Sequence, residues 1–216
     1  MITLYGFRRI FAAGIGETKD LRIEWALQET GLPYRVHGLD HTAGELDSAG
    51  YSKISPFHQA PAIDDDGFVV AESGAAALYI AEKAGKLIPS DFQGRMRVTQ
   101  WCFAALNTVE MPLALISLGD VAGLTDDGRA LWLKLANRCL GGLERRLDGR
   151  EWIACAEFTV ADILLATVLR DIRKTDLMAA YPRLTDYYAR ALARPAWERT
   201  LGLYAERFGV AVKDIR

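Results

Sequence analysis

The chain has 216 residues, of which 50% are hydrophobic and 25% are charged. This composition excludes an intrinsically disordered chain and a small disulfide-stapled scaffold, and it predicts a globular protein with a sizeable core. Twenty-six basic residues against 28 acidic ones leave a formal charge of −2, which argues against a generally basic nucleic-acid binder. We therefore expect a small-molecule partner and no nucleic acid.

Cysteine and histidine are sparse and widely spaced. Cys102, Cys139 and Cys155 form no CxxC pair, so the sequence contains neither a disulfide framework nor a zinc knuckle. The three histidines match no recognisable metal-binding spacing, and no apolar run has the length of a signal peptide or a membrane span. These features predict a cytoplasmic protein that has no catalytic metal and does not enter a membrane.

Strand and helix signals alternate over residues 1–84. Asp66 and Gly67 are typical of a hairpin turn, because glycine accepts a positive φ without a Cβ clash. The predicted elements, in the order βαβαββα, are a strand at 2–5, a helix at 19–30, a strand at 34–38, a short irregular helix within 40–51, strands at 60–63 and 68–71, and a helix from 72 to 84.

Only helical periodicity remains after a linker at 85–91, so residues 92–216 are predicted to form an all-helical domain. Pro112 should kink the first of these helices, because proline cannot donate the i to i−4 hydrogen bond. Thr159 and Asp162 have the spacing of a capping box, a role in folding rather than in chemistry. The predicted helices span 93–118, 126–147, 160–172, 183–192 and 196–206.

Several motifs resemble those of cytosolic glutathione S-transferases, in particular bacterial-type members with a serine-like or threonine-like catalytic position. The segment SPFHQAPAI at 55–63, followed by Glu72-Ser73, resembles the NPxGxVPxL and ES motifs of that family. FTVADI at 158–163 is similar to the family's F-[ST]-x-A-D-I helix start. Tyr181-Pro182 and Ala193-Arg194-Pro195 look like its C-terminal signature. The resemblance extends over essentially the whole chain.

The resemblance implies a thioredoxin-like N-terminal domain, an all-helical C-terminal domain and glutathione as co-substrate. The implied reaction is conjugation of the glutathione thiolate to a small hydrophobic electrophile, in a homodimer. A glutathione-dependent dehalogenase, isomerase or peroxidase is a second possibility on the same fold. A non-catalytic interaction module is a third possibility, because a fold does not by itself fix a function.

The resemblance also implies the residues that bind glutathione. A cis peptide before Pro61 would present the backbone of Ala60 to the cysteinyl part of glutathione, and Gln59 matches a family position that reaches the peptide. Glu72 and Ser73 open a helix, where a hydroxyl and free N–H groups bind a carboxylate and Glu72 accepts from an ammonium. The alternatives are a trans proline that starts a strand, and an N-cap serine beside an exposed glutamate.

The resemblance also implies, by position in the chain, which group stabilises the thiolate of glutathione. No cysteine precedes Cys102, so the reactive sulfur must be that of glutathione. Alignment from Gly31 places the family's catalytic serine at Glu17 or Thr18, and only Thr18 has a hydroxyl. The tyrosine-type catalytic position coincides with Gly6, and the loop from 7 to 20 is longer than the resemblance implies. The alternative role of Thr18 is the N-cap of the following helix.

Two further expectations concern the second substrate and the dimer. The electrophile pocket is predicted between the long loop and the kinked helix, although an ordinary core role is the alternative for each lining residue. The predicted lining residues are Phe7, Phe11, Asn107, Glu110, Met111 and Leu115. Phe57 lies where several transferase classes insert an aromatic ring into the partner subunit, and packing within its own chain is the alternative.

Overall fold

The computed structural model describes residues 1–119 and 123–216. Residues 120–122 of the predicted helical domain lie outside the described part. The helices are α1 (Asp20–Thr30), α2 (Ser73–Ala84), α3 (Phe92–Phe103), α4 (Glu110–Ser117), α5 (Asp126–Arg146), α6 (Val160–Leu169), α7 (Pro182–Leu192), α8 (Pro195–Phe208) and α9 (Val212–Ile215). None of these helices is long and apolar enough to cross a membrane.

The strands form one mixed sheet with the order β2-β1-β3-β4. They are β1 (Ile2–Arg9), β2 (Tyr34–Asp40), β3 (Ala62–Asp65) and β4 (Phe68–Val70). β1 pairs in parallel with β2 and antiparallel with β3, and β3 and β4 form the hairpin predicted from Asp66-Gly67. This arrangement confirms the predicted thioredoxin-like fold.

Contacts between residues divide the chain into two units. The first contains Met1–Lys86 and Arg194–Arg216, and the second contains Leu87–Ala193. The predicted boundaries at 84 and 92 bracket the start of the second unit. The last two helices, by contrast, group with the sheet-containing unit, where Trp197 of α8 packs on Trp25 of α1 with ring centroids 4.8 Å apart.

The irregular helix expected within 40–51 is a series of 3₁₀ turns. These turns span His41–Ala43, Glu45–Asp47 and Tyr51–Lys53. Asp40 caps the first of them, because its carboxylate accepts from the N–H of Ala43 and from the hydroxyl of Thr42. Hydrogen bonds between residues two or three positions apart thus take the place of the i to i−4 backbone hydrogen bonds of an α-helix.

The helix predicted at 93–118 is interrupted by a π-helical segment, Ala104–Val109, that ends before Pro112. Pro112 itself lies within the first turn of α4, where a missing N–H costs least. The carbonyl of Thr108, four residues earlier, accepts instead from the Sγ of Cys139 at 3.5 Å. The interruption therefore precedes the proline that was expected to cause it.

The capping box at the start of α6 is confirmed, and it has more partners than the sequence indicated. One carboxylate oxygen of Asp162 accepts from the N–H of Thr159 at 2.8 Å and from its hydroxyl at 2.9 Å. The other accepts from the N–H of Ile153 at 2.9 Å and the hydroxyl of Tyr187 at 3.0 Å. Burial raises the pKa of Asp162, and these four bonds oppose that rise. One side chain thus joins α6, α7 and the segment before α6.

Asp162→Asn should lower the free energy of unfolding by about 2–3 kcal/mol, because an amide nitrogen would face buried donors that then lack an acceptor. Asp186→Asn is the matched control, since Asp186 is exposed on α7. Urea unfolding followed by circular dichroism measures both variants. Equal stability of the two variants would contradict a structural role for Asp162.

Candidate functional site

The loop before β3 is held by two hydrogen bonds to the backbone of one residue. The hydroxyl of Tyr51 donates to the carbonyl of Gln59 at 2.8 Å, and the N–H of Gln59 donates to the buried Oγ of Ser55 at 3.0 Å. The Ala60-Pro61 peptide is cis, as the resemblance implied. The side chain of Gln59 is exposed, that of Ala60 is half-buried and that of Pro61 is buried. The backbone of Ala60 makes no hydrogen bond to any residue within 1–119 or 123–216.

The start of α2 differs in detail from the alternative of an N-cap serine. Glu72 occupies the N-cap position, its side chain makes no capping bond, and Ser73 is the first helical residue. Glu72 is exposed and Ser73 is half-buried. Nη1 of Arg22 lies 3.4 Å from the Oγ of Ser73 and donates to it. The structure therefore brings together the guanidinium of Arg22, the hydroxyl of Ser73 and the positive N-terminal end of α2. This arrangement is suited to binding a carboxylate.

Arg22 was not predicted as part of this site. It lies in α1 between Leu21 and Ile23, and only 4% of its surface is exposed. A buried arginine needs hydrogen-bond partners, so its burial would point to a binding role or an ion pair. The sequence does not show that Arg22 is buried, and this signal is therefore missing from it. The pairing with Ser73 joins residues 51 positions apart, which no local pattern indicates.

The long loop after β1 places Thr18 against α8. The Oγ1 of Thr18 lies 2.8 Å from the hydroxyl of Tyr204, and the N–H of Gly16 donates to the same hydroxyl at 3.1 Å. Thr18 is 9% exposed and Tyr204 is fully buried. Burial raises the pKa of Tyr204 to about 12, so the phenol stays protonated at neutral pH. The N-cap of α1 is Lys19, and hence the alternative role of Thr18 as that N-cap is not observed.

A buried charge cluster lies at the same end of α1. Nη2 of Arg207 donates to Oδ2 of Asp20 at 3.1 Å, and Nη1 of Arg207 donates to Oε2 of Glu24 at 3.0 Å. Oδ2 of Asp20 also accepts from the N–H of Phe7 at 3.1 Å. A Cβ at Gly6 would lie 2.7 Å from that oxygen, so the glycine makes room for the carboxylate. The tyrosine-type position of the family is therefore occupied by a residue that cannot supply a hydroxyl.

The predicted electrophile-pocket residues belong to both units. Phe7 is buried in a cluster with Leu39, Leu46 and Tyr51, which is the ordinary core role, whereas Phe11 is 57% exposed. In the second unit Asn107 and Met111 are exposed, and Glu110 and Leu115 are half-buried. A pocket formed by these six residues stays a prediction.

Within the described ranges, no group of three or more His, Cys, Asp or Glu side chains is arranged to hold a metal ion. The side chains of His41 and Lys53 are both exposed. His58, which replaces the glycine of the family motif, has a φ of 56° and its Nδ1 lies 3.2 Å from Oδ1 of Asp47. None of these histidines is assigned a chemical role by its contacts.

Comparisons with known proteins agree with this architecture. Residues 2–82 match the family model of the glutathione S-transferase N-terminal domain, and residues 126–190 match that of the C-terminal domain. The chain is 31% identical to glutathione S-transferase D7 of Anopheles gambiae over 163 residues, which is 71% of this chain and 72% of that protein. It is 27% identical to the disulfide-bond oxidoreductase YfcG of Escherichia coli K12 over 190 residues, 83% of this chain and 88% of that one.

A solved structure gives the same result for the fold. A glutathione transferase family member from Pseudomonas fluorescens, crystallised with two glutathione bound, superposes with a TM-score of 0.80 at 26% identity. The superposition covers 92% of this chain and 91% of the other. Together, the two domain matches, the Anopheles relative and this likeness show that the chain belongs to the glutathione S-transferase family.

Proposed function

We propose that the protein is a glutathione transferase that joins the thiolate of glutathione to a small hydrophobic electrophile. The observation that carries the proposal is the contact of Arg22 with Ser73 at the first turn of α2. It supplies a positive charge and a hydroxyl for the γ-glutamyl carboxylate of glutathione. The glutathione bound in the Pseudomonas fluorescens relative supports the same co-substrate.

The proposed ligand contacts follow the shape of the tripeptide. Ser73 and the N–H groups at the start of α2 bind the γ-glutamyl carboxylate, and exposed Glu72 accepts from the γ-glutamyl ammonium. The N–H and carbonyl of Ala60, held beside Pro61, pair with the cysteinyl backbone of glutathione in the manner of an added strand. The side chain of Gln59 reaches the peptide from the same loop.

Thr18 is proposed as the group that stabilises the thiolate. The oxygen of Tyr204 accepts from the N–H of Gly16, and in the proposed arrangement the phenolic hydroxyl donates to the Oγ1 of Thr18. The hydroxyl hydrogen of Thr18 is then available for the sulfur of glutathione. This bond favours the thiolate over the thiol, whose pKa in water is about 8.5.

The proposed reaction needs little covalent work from the protein. The thiol proton leaves to solvent, the sulfur forms a bond to an electrophilic carbon, and the leaving group departs with its electron pair. Binding both reactants together and stabilising the thiolate are the enzyme's contributions. The three cysteines are free, which fits a reducing cytoplasmic setting.

Reduction of disulfides is a second candidate, favoured by the similarity to the oxidoreductase YfcG. Residues 1–101 contain no cysteine, so both electrons would come from two glutathione molecules, which leave as glutathione disulfide while the substrate disulfide becomes two thiols. Parallel assays with a chlorodinitroarene and with hydroxyethyl disulfide separate the two activities. A rate with the disulfide alone would favour the oxidoreductase.

Ser73→Ala should weaken glutathione binding by about 1.5–3 kcal/mol, because a hydrogen bond to a charged group is lost. Calorimetric titration with glutathione gives the affinity. Ser117→Ala is the matched control, since Ser117 is exposed in the second unit. Wild-type affinity in Ser73→Ala would show that the γ-glutamyl group binds elsewhere.

Thr18→Val should lower turnover with a chlorodinitroarene roughly tenfold, about 1.4 kcal/mol in the barrier, and leave glutathione affinity almost unchanged. The pKa of the bound thiol should rise towards the free value, so the loss is largest below about pH 8.5 and shrinks at higher pH. The measurement is the pH profile of kcat for both proteins.

Thr18→Ser separates chemistry from folding, since it keeps the hydroxyl and should recover most of the rate and the wild-type pH profile. An unchanged rate and profile in Thr18→Val would remove Thr18 from the mechanism. The backbone N–H groups of residues 14–19 would then be the remaining donors for the thiolate.

The proposed assembly is a homodimer with Phe57 as an anchor. The ring of Phe57 is 73% exposed in the single chain, so it does not pack within its own unit. Light scattering of the wild type at micromolar concentration should give twice the mass of one chain, and Phe57→Ala should shift the equilibrium towards monomer. A monomeric wild type would refute the dimer, and a fully stable dimer of Phe57→Ala would refute the anchor.

A further inference from the structure

A cavity of about 700 Å³ lies wholly within the helical unit, between the start of α3, the end of α5 and the segment before α6. Three arginines, Arg97, Arg146 and Arg150, are among its lining residues. Asp91 is the one acidic residue among the described lining residues, and its Oδ1 already accepts from the N–H of Gly94 at 2.8 Å. Positive charge therefore exceeds negative charge in this cavity.

The three arginines have no carboxylate partner. Within residues 1–119 and 123–216, none of the three lies within 4.0 Å of a carboxylate oxygen. Three unpaired cations that face one cavity repel each other unless an anion lies between them.

Arg146 is the positioned member of the group. Its Nε donates to the carbonyl of Ile153 at 3.0 Å, and its guanidinium lies 5.2 Å from the centre of the Trp101 ring. Burial lowers the pKa of Arg146, and the charges of Arg150 and Arg97 act in the same direction, whereas Cys155 opposes them. Arg97 and Arg150 are exposed, and their side chains make no hydrogen bond to a described residue, so both can turn towards a ligand.

We infer that this cavity binds a small organic polyanion, with Arg146 and Trp101 as a fixed floor and Arg97 and Arg150 as the groups that close on the negative charges. Guanidinium groups match carboxylates and phosphates in two-pronged geometry, and the volume is that of a site for a small molecule. The site shares no residue with the glutathione site proposed above, since every lining residue lies in the helical unit.

Trimesate, a planar benzene with three carboxylates, and adenosine diphosphate are the two probes, since polycarboxylates and phosphate esters share the required charge. Calorimetric titration should show binding of at least one probe, and the tighter of the two identifies the natural class. Neutral benzenetrimethanol should not bind, and added sodium chloride should weaken the affinity. Absence of binding by both probes at millimolar concentration would overturn the inference.

Arg97→Gln and Arg150→Gln should each weaken the bound probe about tenfold, because each removes one charge-assisted contact. Neither change removes a bond that holds the fold. Arg138→Gln on α5 is the matched control, since Arg138 is exposed and outside the cavity, and it should change affinity less than twofold. Equal losses in all three variants would show only nonspecific attraction and overturn the inference.

Alkylation of the wild type gives a readout that needs no substitution. Cys155 lines the cavity, and Cys139, which is also half-buried, does not. A saturating probe should slow modification of Cys155 by N-ethylmaleimide several-fold and leave that of Cys139 unchanged, as peptide mass spectrometry would record. Equal rates at Cys155 with and without a probe that binds would place the anion outside this cavity and contradict the inference.

Discussion

The sheet-containing unit depends on the hydrogen bonds and ion pairs of the Arg207 guanidinium. It donates to Asp20 and Glu24 of α1 and, through Nε, to the carbonyl of Phe7 at 2.9 Å. Asp20 in turn accepts from the N–H of Phe7, so the end of β1, the start of α1 and α8 meet at one set of charges. Burial raises the pKa of Glu24 and the charge of Arg207 opposes that rise. Substituting one of these charged residues by a neutral one would leave a buried charge without its full compensation. Such a change destabilises the fold strongly, even where an intact buried ion pair adds little net stability.

This cluster also explains how a long loop can position a hydroxyl. The loop follows Arg9 at the end of β1 and enters α1 at Asp20. Phe7, near the end of β1, is bonded to the Asp20 carboxylate, and the guanidinium of Arg207 donates to both Phe7 and Asp20. Its ends are therefore fixed, whatever its length. Tyr204 lies one helical turn before Arg207 on α8, with its ring 5.1 Å from that guanidinium, so the helix that fixes the loop ends also bonds to Gly16 and Thr18 within the loop.

Features that are local in sequence were predictable, and those that join distant segments were not. The hairpin at Asp66-Gly67, the cis proline at Pro61 and the capping box at Thr159 each arise from residues a few positions apart, or from a family motif of that length. The bond between Thr18 and Tyr204 spans 186 positions, and Asp20 and Arg207 are 187 apart. Periodicity and capping rules contain no information about such pairs. Sequence reasoning could therefore place Thr18 near a helix start but could not name its partner.

The net charge of the whole chain does not show how charges are distributed over its structure. A total of −2 argues against a generally basic surface, but it averages over regions of opposite sign. Arg146 ends α5 and Arg150 follows four residues later, beyond the helix, whereas Arg97 comes from a different helix and meets them only because α3 and the end of α5 border the same cavity. Acidic residues elsewhere cancel these positive charges in the net charge of the chain, but they lie too far away to neutralise them in the cavity. A locally cationic cavity and a slightly acidic protein are consequently compatible, because Coulomb interactions in water depend on separations of a few ångströms and not on totals.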